Sequence, residues 1–169
     1  TFRMSSTFAR PLGQVLGATL ADLNNDGFLD LAYSGQQGGS DSAVAVMLGN
    51  GNGTFRSAAF YNNSVFNDDV SYSVEFGDAN NDGKLDMLAS TDRNSSNGGY
   101  ASVRLGDGGG GFGAANHYFA FAVDGYEATF ADMNNDGRLD IVQVGNDIGD
   151  TEAMIAYGNG QGGFGSTSA

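Results

Sequence analysis

Short apolar runs alternate with polar turn sequences along the whole chain, and no stretch has the spacing of a long helix. Runs such as 29–33, 85–89 and 139–144 place apolar residues at alternate positions, as in strands that bury one face. Glycine interrupts every stretch that would be long enough for a helix. The pattern therefore predicts an all-β protein built from short strands.

The same order of elements occurs three times along the chain. In each copy a strand precedes an acidic nine-residue segment, a second strand follows it, and a third leads into a glycine-rich hairpin that ends in Phe. A fourth strand is expected after the hairpin. Four short antiparallel strands in roughly 55 residues predict one blade of a β-propeller. The predicted blades are approximately residues 12–61, 70–119 and 124–169 of a single repeat region, 1–169.

The two ends of the chain lead to a further expectation. Residues 1–3 repeat residues 54–56, so residues 1–11 are predicted to be a strand that completes another blade. The third copy is predicted to lack its own last strand, because the sequence stops soon after Phe164. Closed propellers have about 4–8 blades, and open sheet edges pair readily with other chains. We therefore expect the three repeats to be part of a larger or oligomeric propeller.

The acidic segment of each copy reads D-x-N-N-D-G-x-L-D, and the copies begin 56 and then 54 positions apart. Side-chain oxygens at positions 1, 3, 5 and 9, together with the backbone carbonyl of position 7, suit a hard cation, and Ca2+ is the first candidate. Glycine at position 6 permits a sharp bend. The predicted ligands in the three loops are Asp22, Asn24, Asp26, Phe28 and Asp30; Asp78, Asn80, Asp82, Lys84 and Asp86; and Asp132, Asn134, Asp136, Arg138 and Asp140.

Two other interpretations of this segment are weaker. An EF-hand loop needs an acidic residue at position 12 and flanking helices, but position 12 is Tyr33, Ala89 or Gln143 here. A simple Asx-rich turn does not explain why Asp is kept at position 9 in all three copies. Clustered carboxylates without a cation would also repel each other. The leucine at position 8 is expected to point into the blade core: Leu29, Leu85 and Leu139.

Composition narrows the possible partners. The formal net charge is −13 with only 7 Lys and Arg residues, which argues against nucleic acid as a partner. The 28 glycines fit many tight turns, and the absence of cysteine excludes a disulfide framework. No apolar run approaches the ~18 residues that would predict insertion into a membrane.

The acidic motif and the hairpins G-N-G-x-G-T-F and G-G-F-G together resemble the FG-GAP/VCBS repeat family, in nearly the whole chain. That family includes the calcium-binding blades of integrin α-subunit propellers and many secreted bacterial and fungal proteins. The resemblance implies a propeller stabilised by Ca2+ at three sites and located outside the cell or at its surface. It also implies a role in cell adhesion, in carbohydrate binding, or beside a polysaccharide-degrading enzyme.

Recognition is expected on the face opposite the acidic loops, because the segments there differ between copies. The aromatic residues at or near this face would either stack on sugars or, as we prefer, pack between blades: Tyr61, Phe66, Tyr72, Tyr100 and Tyr126. His117 is the only histidine and has no catalytic partner in the sequence pattern.

We expect a non-enzymatic binding module for an extracellular protein or glycan. Two alternatives stay open. The chain could be a structural unit that self-associates through open blade edges into a ring or fibre. It could also be an accessory or catalytic propeller of a polysaccharide-active enzyme, although no acid/base pair stands out among its Asp and Glu residues.

Overall fold

The computed structural model describes residues 12–37, 41–66, 69–93, 98–119, 124–147 and 150–166, and these ranges form twelve strands in three antiparallel sheets. The first sheet, blade 1, contains β1 (Gln14–Ala21), β2 (Asp30–Gln37), β3 (Asp41–Met47) and β4 (Ala59–Asn62). Blade 2 contains β5 (Asp69–Gly77), β6 (Asp86–Arg93), β7 (Tyr100–Arg104) and β8 (Asn116–Phe119). Blade 3 contains β9 (Asp124–Ala131), β10 (Asp140–Asp147), β11 (Asp150–Gly158) and β12 (Phe164–Ser166).

Every sheet keeps its four strands in chain order, each paired with the next. This arrangement confirms the predicted all-β fold of three four-stranded antiparallel units and is consistent with propeller blades. The predicted extra strand at residues 1–11 lies outside the described residues. No helical segment in the described ranges has both the length and the apolar character that crossing a bilayer requires.

The third blade has its own fourth strand, so the expectation that it lacks one is wrong. Phe164, Gly165 and Ser166 pair with Gly158, Tyr157 and Ala156 at the end of β11. The hairpin that joins β11 to β12 is tight, so the chain reverses direction and lies beside β11 directly after the turn. Three residues after the turn are therefore enough to complete the sheet.

The outermost strands of blades 1 and 2 begin later than their sequence pattern predicts. Phe55 and Phe112 form only isolated bridges with Gly49 and Gly106, and the ladders resume at Ala59 and Asn116. The ring of Phe112 stacks on Phe76 of its own blade, with 5.6 Å between ring centres, and meets Tyr61 of blade 1 edge to face at 5.3 Å. This phenylalanine is therefore fixed by packing between blades and not by ladder hydrogen bonds.

The innermost strand of each blade carries a β-bulge at the same place in the repeat. The register shifts at Leu16 in β1, at Tyr72 in β5 and at Tyr126 in β9. A bulge leaves its extra residue outside the ladder and re-aims the side chain. The rings of Tyr72 and Tyr126 meet edge to face with 5.7 Å between their centres, so two of the bulged residues contact each other across blades.

The hydrophobic core lies between neighbouring blades. Val46 of blade 1 and Met87 of blade 2 belong to one buried cluster, and Leu88 of blade 2 and Ile141 of blade 3 belong to another. Met87 and Leu88 are adjacent in β6 and point to opposite faces, so blade 2 is covered on both sides. This explains why the central strands carry small apolar residues on both faces.

Truncating a residue between blades should cost much of the stability. We expect Leu88→Ala, at a fully buried position, to lower the free energy of unfolding by about 2–5 kcal/mol, since it removes buried methyl groups and leaves a cavity. Val65→Ala, at an exposed position, should change it by less than about 0.5 kcal/mol. Urea unfolding followed by circular dichroism measures both. Equal costs for the two variants would contradict a core between blades.

Candidate metal centres in the three acidic loops

The acidic segments form the connections from β1 to β2, from β5 to β6 and from β9 to β10, and all three adopt the same backbone. Glycine at position 6 has a positive φ in each loop, as predicted: 85° at Gly27, 80° at Gly83 and 81° at Gly137. The asparagine at position 4 is also left-handed, with φ of 56° at Asn25, 58° at Asn81 and 59° at Asn135. Asparagine tolerates this conformation better than most residues, which accounts for its recurrence at position 4. This role of position 4 was not predicted from the sequence.

The aspartate at position 1 closes the loop on itself. One carboxylate oxygen of Asp22 accepts the N–H of Asp26 at 3.1 Å, and the other accepts the N–H of Gly27 at 2.8 Å. The side chain of Asn24 also accepts the Asp26 N–H, at 3.0 Å. The second and third loops repeat these bonds around Asp78 and Asp132. Positions 1, 3 and 5 are therefore brought together in every loop.

The aspartate at position 9 joins the acidic loop to the glycine hairpin. Asp30 is fully buried; one of its oxygens accepts the N–H of Leu23 at 2.9 Å, and the other accepts the N–H of Gly49 at 2.8 Å. Asp86 and Asp140 are equally buried and make the same two bonds with their own loop and hairpin, at 2.8–3.0 Å. We call this arrangement the carboxylate bridge. It places the acidic loop and the hairpin on one face of the blade.

The first glycine of each hairpin is required by this bridge. A Cβ on Gly49, Gly106 or Gly158 would lie 2.3, 2.1 or 2.0 Å from the carbonyl oxygen of the leucine at position 8. Any larger residue would push the hairpin away from the acidic loop and break the bond to the buried carboxylate. From the sequence, position 9 was predicted only as a metal ligand, although the constant glycine at the hairpin start was a signal for the bridge.

The buried carboxylate of the second loop has a perturbed pKa. Burial raises the pKa of Asp86, the amides of Gly106 and Ala79 lower it, and the negative charges of Asp82 and Asp78 raise it again. The net shift is upward, so the folded protein disfavours the charged form at this position. A cation held among these carboxylates would act in the opposite direction.

Each loop carries a surplus of negative charge. The aspartate at position 5 pairs with one exposed cation in each loop: Asp26 with Arg56 at 4.0 Å, Asp82 with Lys84 at 3.4 Å, and Asp136 with Arg138 at 3.9 Å. Exposed pairs of this kind contribute little to stability. Three aspartates and one paired cation leave a formal charge of −2 at each loop, which a divalent ion would neutralise.

The oxygen atoms of the three acidic loops suit a hard cation, although the Asp and Asn side chains that carry them are hydrogen-bonded to the loop backbone. Within the described residues no group of three or more His, Cys, Asp or Glu side chains stands close enough together to hold a metal ion. The carboxylates instead accept bonds from loop amides, and an ionised carboxylate has about four lone-pair sites, so each keeps the capacity to bind a cation. The ligands offered are oxygens alone, as Ca2+ prefers. Calcium binding by the fifteen predicted ligands therefore remains a prediction, and their oxygen atoms are chemically suited to it.

The leucine at position 8 packs at the contact with the preceding blade, and not solely into the core of its own blade as expected. Leu85 packs against the cluster shared with blade 1, and a methyl carbon of Leu139 would lie 2.8 Å from a Cβ on Gly77 of blade 2. The side chain thus packs on the preceding blade. Leu29 belongs to the first blade described and is 60% exposed, because no described blade precedes it.

Four of the five aromatic residues predicted at or near the opposite face make packing contacts, the role preferred from the sequence: Tyr61, Tyr72, Tyr100 and Tyr126. The Tyr100 hydroxyl lies 2.6 Å from a carboxylate oxygen of Asp69, and Tyr61 packs edge to face on Phe112 at 5.3 Å. Phe66 and Tyr126 are 40% and 38% exposed. Much of this face, residues 38–40, 94–97, 120–123 and 148–149, lies outside the described residues.

His117 is held by its neighbours. Its Nδ1 lies 2.9 Å from the hydroxyl of Ser102, and its ring meets Tyr100 edge to face. Burial lowers the pKa of His117, the charge of Arg104 lowers it further, and Asp69 raises it slightly. The histidine is half-buried among packing residues.

Comparison with known proteins agrees with the repeat geometry. Residues 22–89 match a family model described as an FG-GAP-like repeat, and FG-GAP repeats often bind calcium. The match begins at the first residue of the first acidic loop, includes the second loop and covers less than half of the chain. No curated protein matches the chain significantly. The third loop lies outside the matched range, yet it has the same backbone and the same carboxylate bridge.

The carboxylate bridge should stabilise the fold even without a cation. We expect Asp86→Asn to lower the free energy of unfolding by about 1–3 kcal/mol in excess chelator, since the two backbone N–H groups bind different carboxylate oxygens and the NH2 group of Asn would face one of them. Asp82→Asn, at an exposed position of the same loop, should cost less than about 0.5 kcal/mol in chelator. Urea titrations in EDTA provide the comparison. If Asp86→Asn unfolds like the parent chain there, the bridge has no structural role.

Proposed function

Because the chain carries an FG-GAP-like repeat over residues 22–89, we propose that it is a calcium-stabilised, extracellular recognition module. The observation that supports this most strongly is the threefold recurrence of one oxygen-rich loop with a formal charge of −2. A chance cluster of Asx turns would not repeat the backbone, the buried carboxylate and the charge surplus together.

The cations would be structural. In each loop Ca2+ would be held by the side chains of positions 1, 3, 5 and 9 and by the backbone carbonyl of position 7. The ion would supply positive charge and cross-link the loop. The carboxylate bridge connects this loop to the hairpin, so an ordered loop also fixes the hairpin. A site with a Kd of about 10⁻⁴ M, typical of extracellular modules, adds about 1.4 kcal/mol at about 1 mM Ca2+. Three such sites would contribute roughly 4 kcal/mol, a large share of the stability of a small domain.

Calcium removal should therefore destabilise the protein. We expect EDTA to lower the melting temperature by several degrees, with full recovery when Ca2+ is restored in excess and much weaker recovery with Mg2+. Differential scanning calorimetry measures the shift.

Replacing the aspartate at position 5 in one, two and then all three loops tests the three calcium sites one by one. Isothermal titration should give three bound Ca2+ ions for the parent chain, and one fewer for each added change among Asp26→Asn, Asp82→Asn and Asp136→Asn. Asp107→Asn, at an acidic hairpin residue outside the three loops, is the matched control and should keep all three. A melting temperature that EDTA leaves unchanged, together with no binding heat, would overturn the calcium proposal.

The ligand would bind on the face opposite the calcium loops. The support is that Phe66 and Tyr126 expose aromatic surface, whereas the acidic-loop face is occupied by the repeated loops and hairpins. Aromatic side chains provide large contact areas for sugars and for protein surfaces. We propose a glycan or an extracellular protein as the ligand and no catalytic role for the chain.

Binding should depend on these aromatics. On a panel of immobilised polysaccharides and extracellular-matrix proteins, Phe66→Ala or Tyr126→Ala should weaken retention of the chain by about fivefold or more, the loss expected for a central contact. Phe60→Ala, at an exposed residue of β4, is the control and should bind like the parent. Release of reducing sugar from any polysaccharide would contradict the non-enzymatic proposal.

A further inference from the structure

The two contacts between blades within the chain use the same knob and socket. Leu48, the residue before the first hairpin glycine of blade 1, lies against the blade 2 hairpin; its Cδ2 would be 2.6 Å from a Cβ on Gly110. Leu105, its counterpart in blade 2, lies against the blade 3 hairpin in the same way, 2.7 Å from a Cβ on Gly162. We call this leucine position the knob, and the fifth residue of the facing hairpin with its surroundings the socket.

Further contacts accompany the knob at the boundary between blades 2 and 3. The N–H of Gly162 donates to the carbonyl of Ala79 at 3.3 Å, and the hydroxyl of Tyr118 donates to the carbonyl of Gly162 at 3.3 Å. Glycine fits the socket for two reasons: the backbone there is left-handed, with φ of 86° at Gly110 and 77° at Gly162, and a Cβ would meet the knob. The socket is therefore a shaped part of the repeat and not a surface irregularity.

Blade 1 has a socket that no knob of the described residues fills. Gly53 occupies the same hairpin position as Gly110 and Gly162, and a Cβ on Gly53 would meet no heavy atom of the described residues within 4 Å. A cavity of about 350 Å³ opens there, lined by Leu20, Phe28, Leu29 and the hairpin. These three apolar side chains are all exposed, whereas the leucine counterparts Leu85 and Leu139 are packed on a preceding blade.

Blade 3 has the complementary unfilled feature. Tyr157 occupies the knob position before the hairpin and is 37% exposed. Met133, on the same side of blade 3, is 47% exposed, while its counterparts Leu23 and Ala79 are 3% and 1% exposed. Val144 of β10 adds a further exposed apolar side chain. The chain thus presents an apolar socket at one end and an apolar knob at the other.

We propose that a second copy of this chain docks head to tail, with Tyr157 of one copy in the socket beside Leu29 and Gly53 of the other. This contact would continue an interface that the chain already forms twice, between blades 1 and 2 and between blades 2 and 3. A contact of this kind is heterologous and closes when the rotation allows it. The described residues of two copies supply six blades, within the range of about 4–8 that closed propellers use. The occupant is therefore a second copy of the chain.

The dimer can be tested with one variant at each end. Sedimentation equilibrium of the parent chain should give about twice its mass of 17.4 kDa. Tyr157→Asp removes the knob and Leu29→Asp places a charge in the socket, so each variant alone should sediment as a monomer. An equimolar mixture of the two should form dimers again, because one variant keeps an intact socket and the other an intact knob. A symmetric interface that used one patch on both copies would not show this complementation.

The control substitution is Phe60→Asp, at an exposed residue of β4 that lies in neither feature; it should leave the dimer intact. Far-ultraviolet circular dichroism and thermal melts check that each variant folds. A parent chain that is monomeric at its highest soluble concentration would overturn the proposal, as would a dimer that Tyr157→Asp leaves intact or a mixture that stays monomeric. The effect of EDTA on the melting of the Tyr157→Asp monomer tests the calcium proposal separately, so the two can fail independently.

Discussion

The fold depends on a buried carboxylate that holds two backbone amides. In each blade the aspartate at position 9 begins the second strand, and its oxygens accept one N–H from the acidic loop and one from the glycine hairpin. Burying a charge without partners costs several kcal/mol, and hydrogen bonds to the charged form offset that cost. The loop and the hairpin are consequently fixed relative to each other before any ligand is considered.

This constraint extends to the packing between blades. The hairpin held by the bridge carries the socket glycine, and the leucine beside the bridge packs on the preceding blade. The acidic loops, the hairpins and the faces between blades therefore form one connected system, although they are separate motifs in the sequence. A cation that orders the acidic loop would act on the blade contacts through the same carboxylate, which links the proposed calcium sites to the proposed recognition scaffold.

Several structural features were predictable from single residues. The positive φ angles of Gly27 and of the hairpin glycines follow from the absence of a Cβ, and period-2 alternation placed the central strands of each blade to within a few residues. Other features were not predictable. The bulges at Leu16, Tyr72 and Tyr126 arise from how three inner strands meet, and the fourth strand of blade 3 is only three residues long, too short for a periodic pattern.

The repeated motif by itself determined the strand order, the face shared by loops and hairpins, and the oxygen-rich character of the candidate metal loops. These properties depend on local backbone preference and on side-chain chemistry, which each residue carries with it. Only the tertiary structure decided that Asp30 and its counterparts bridge two segments, that Leu85 and Leu139 pack on the preceding blade, and that one knob and one socket stay unfilled among the described residues. Those properties depend on distances between residues far apart in the chain, and spacing along one repeat does not encode them.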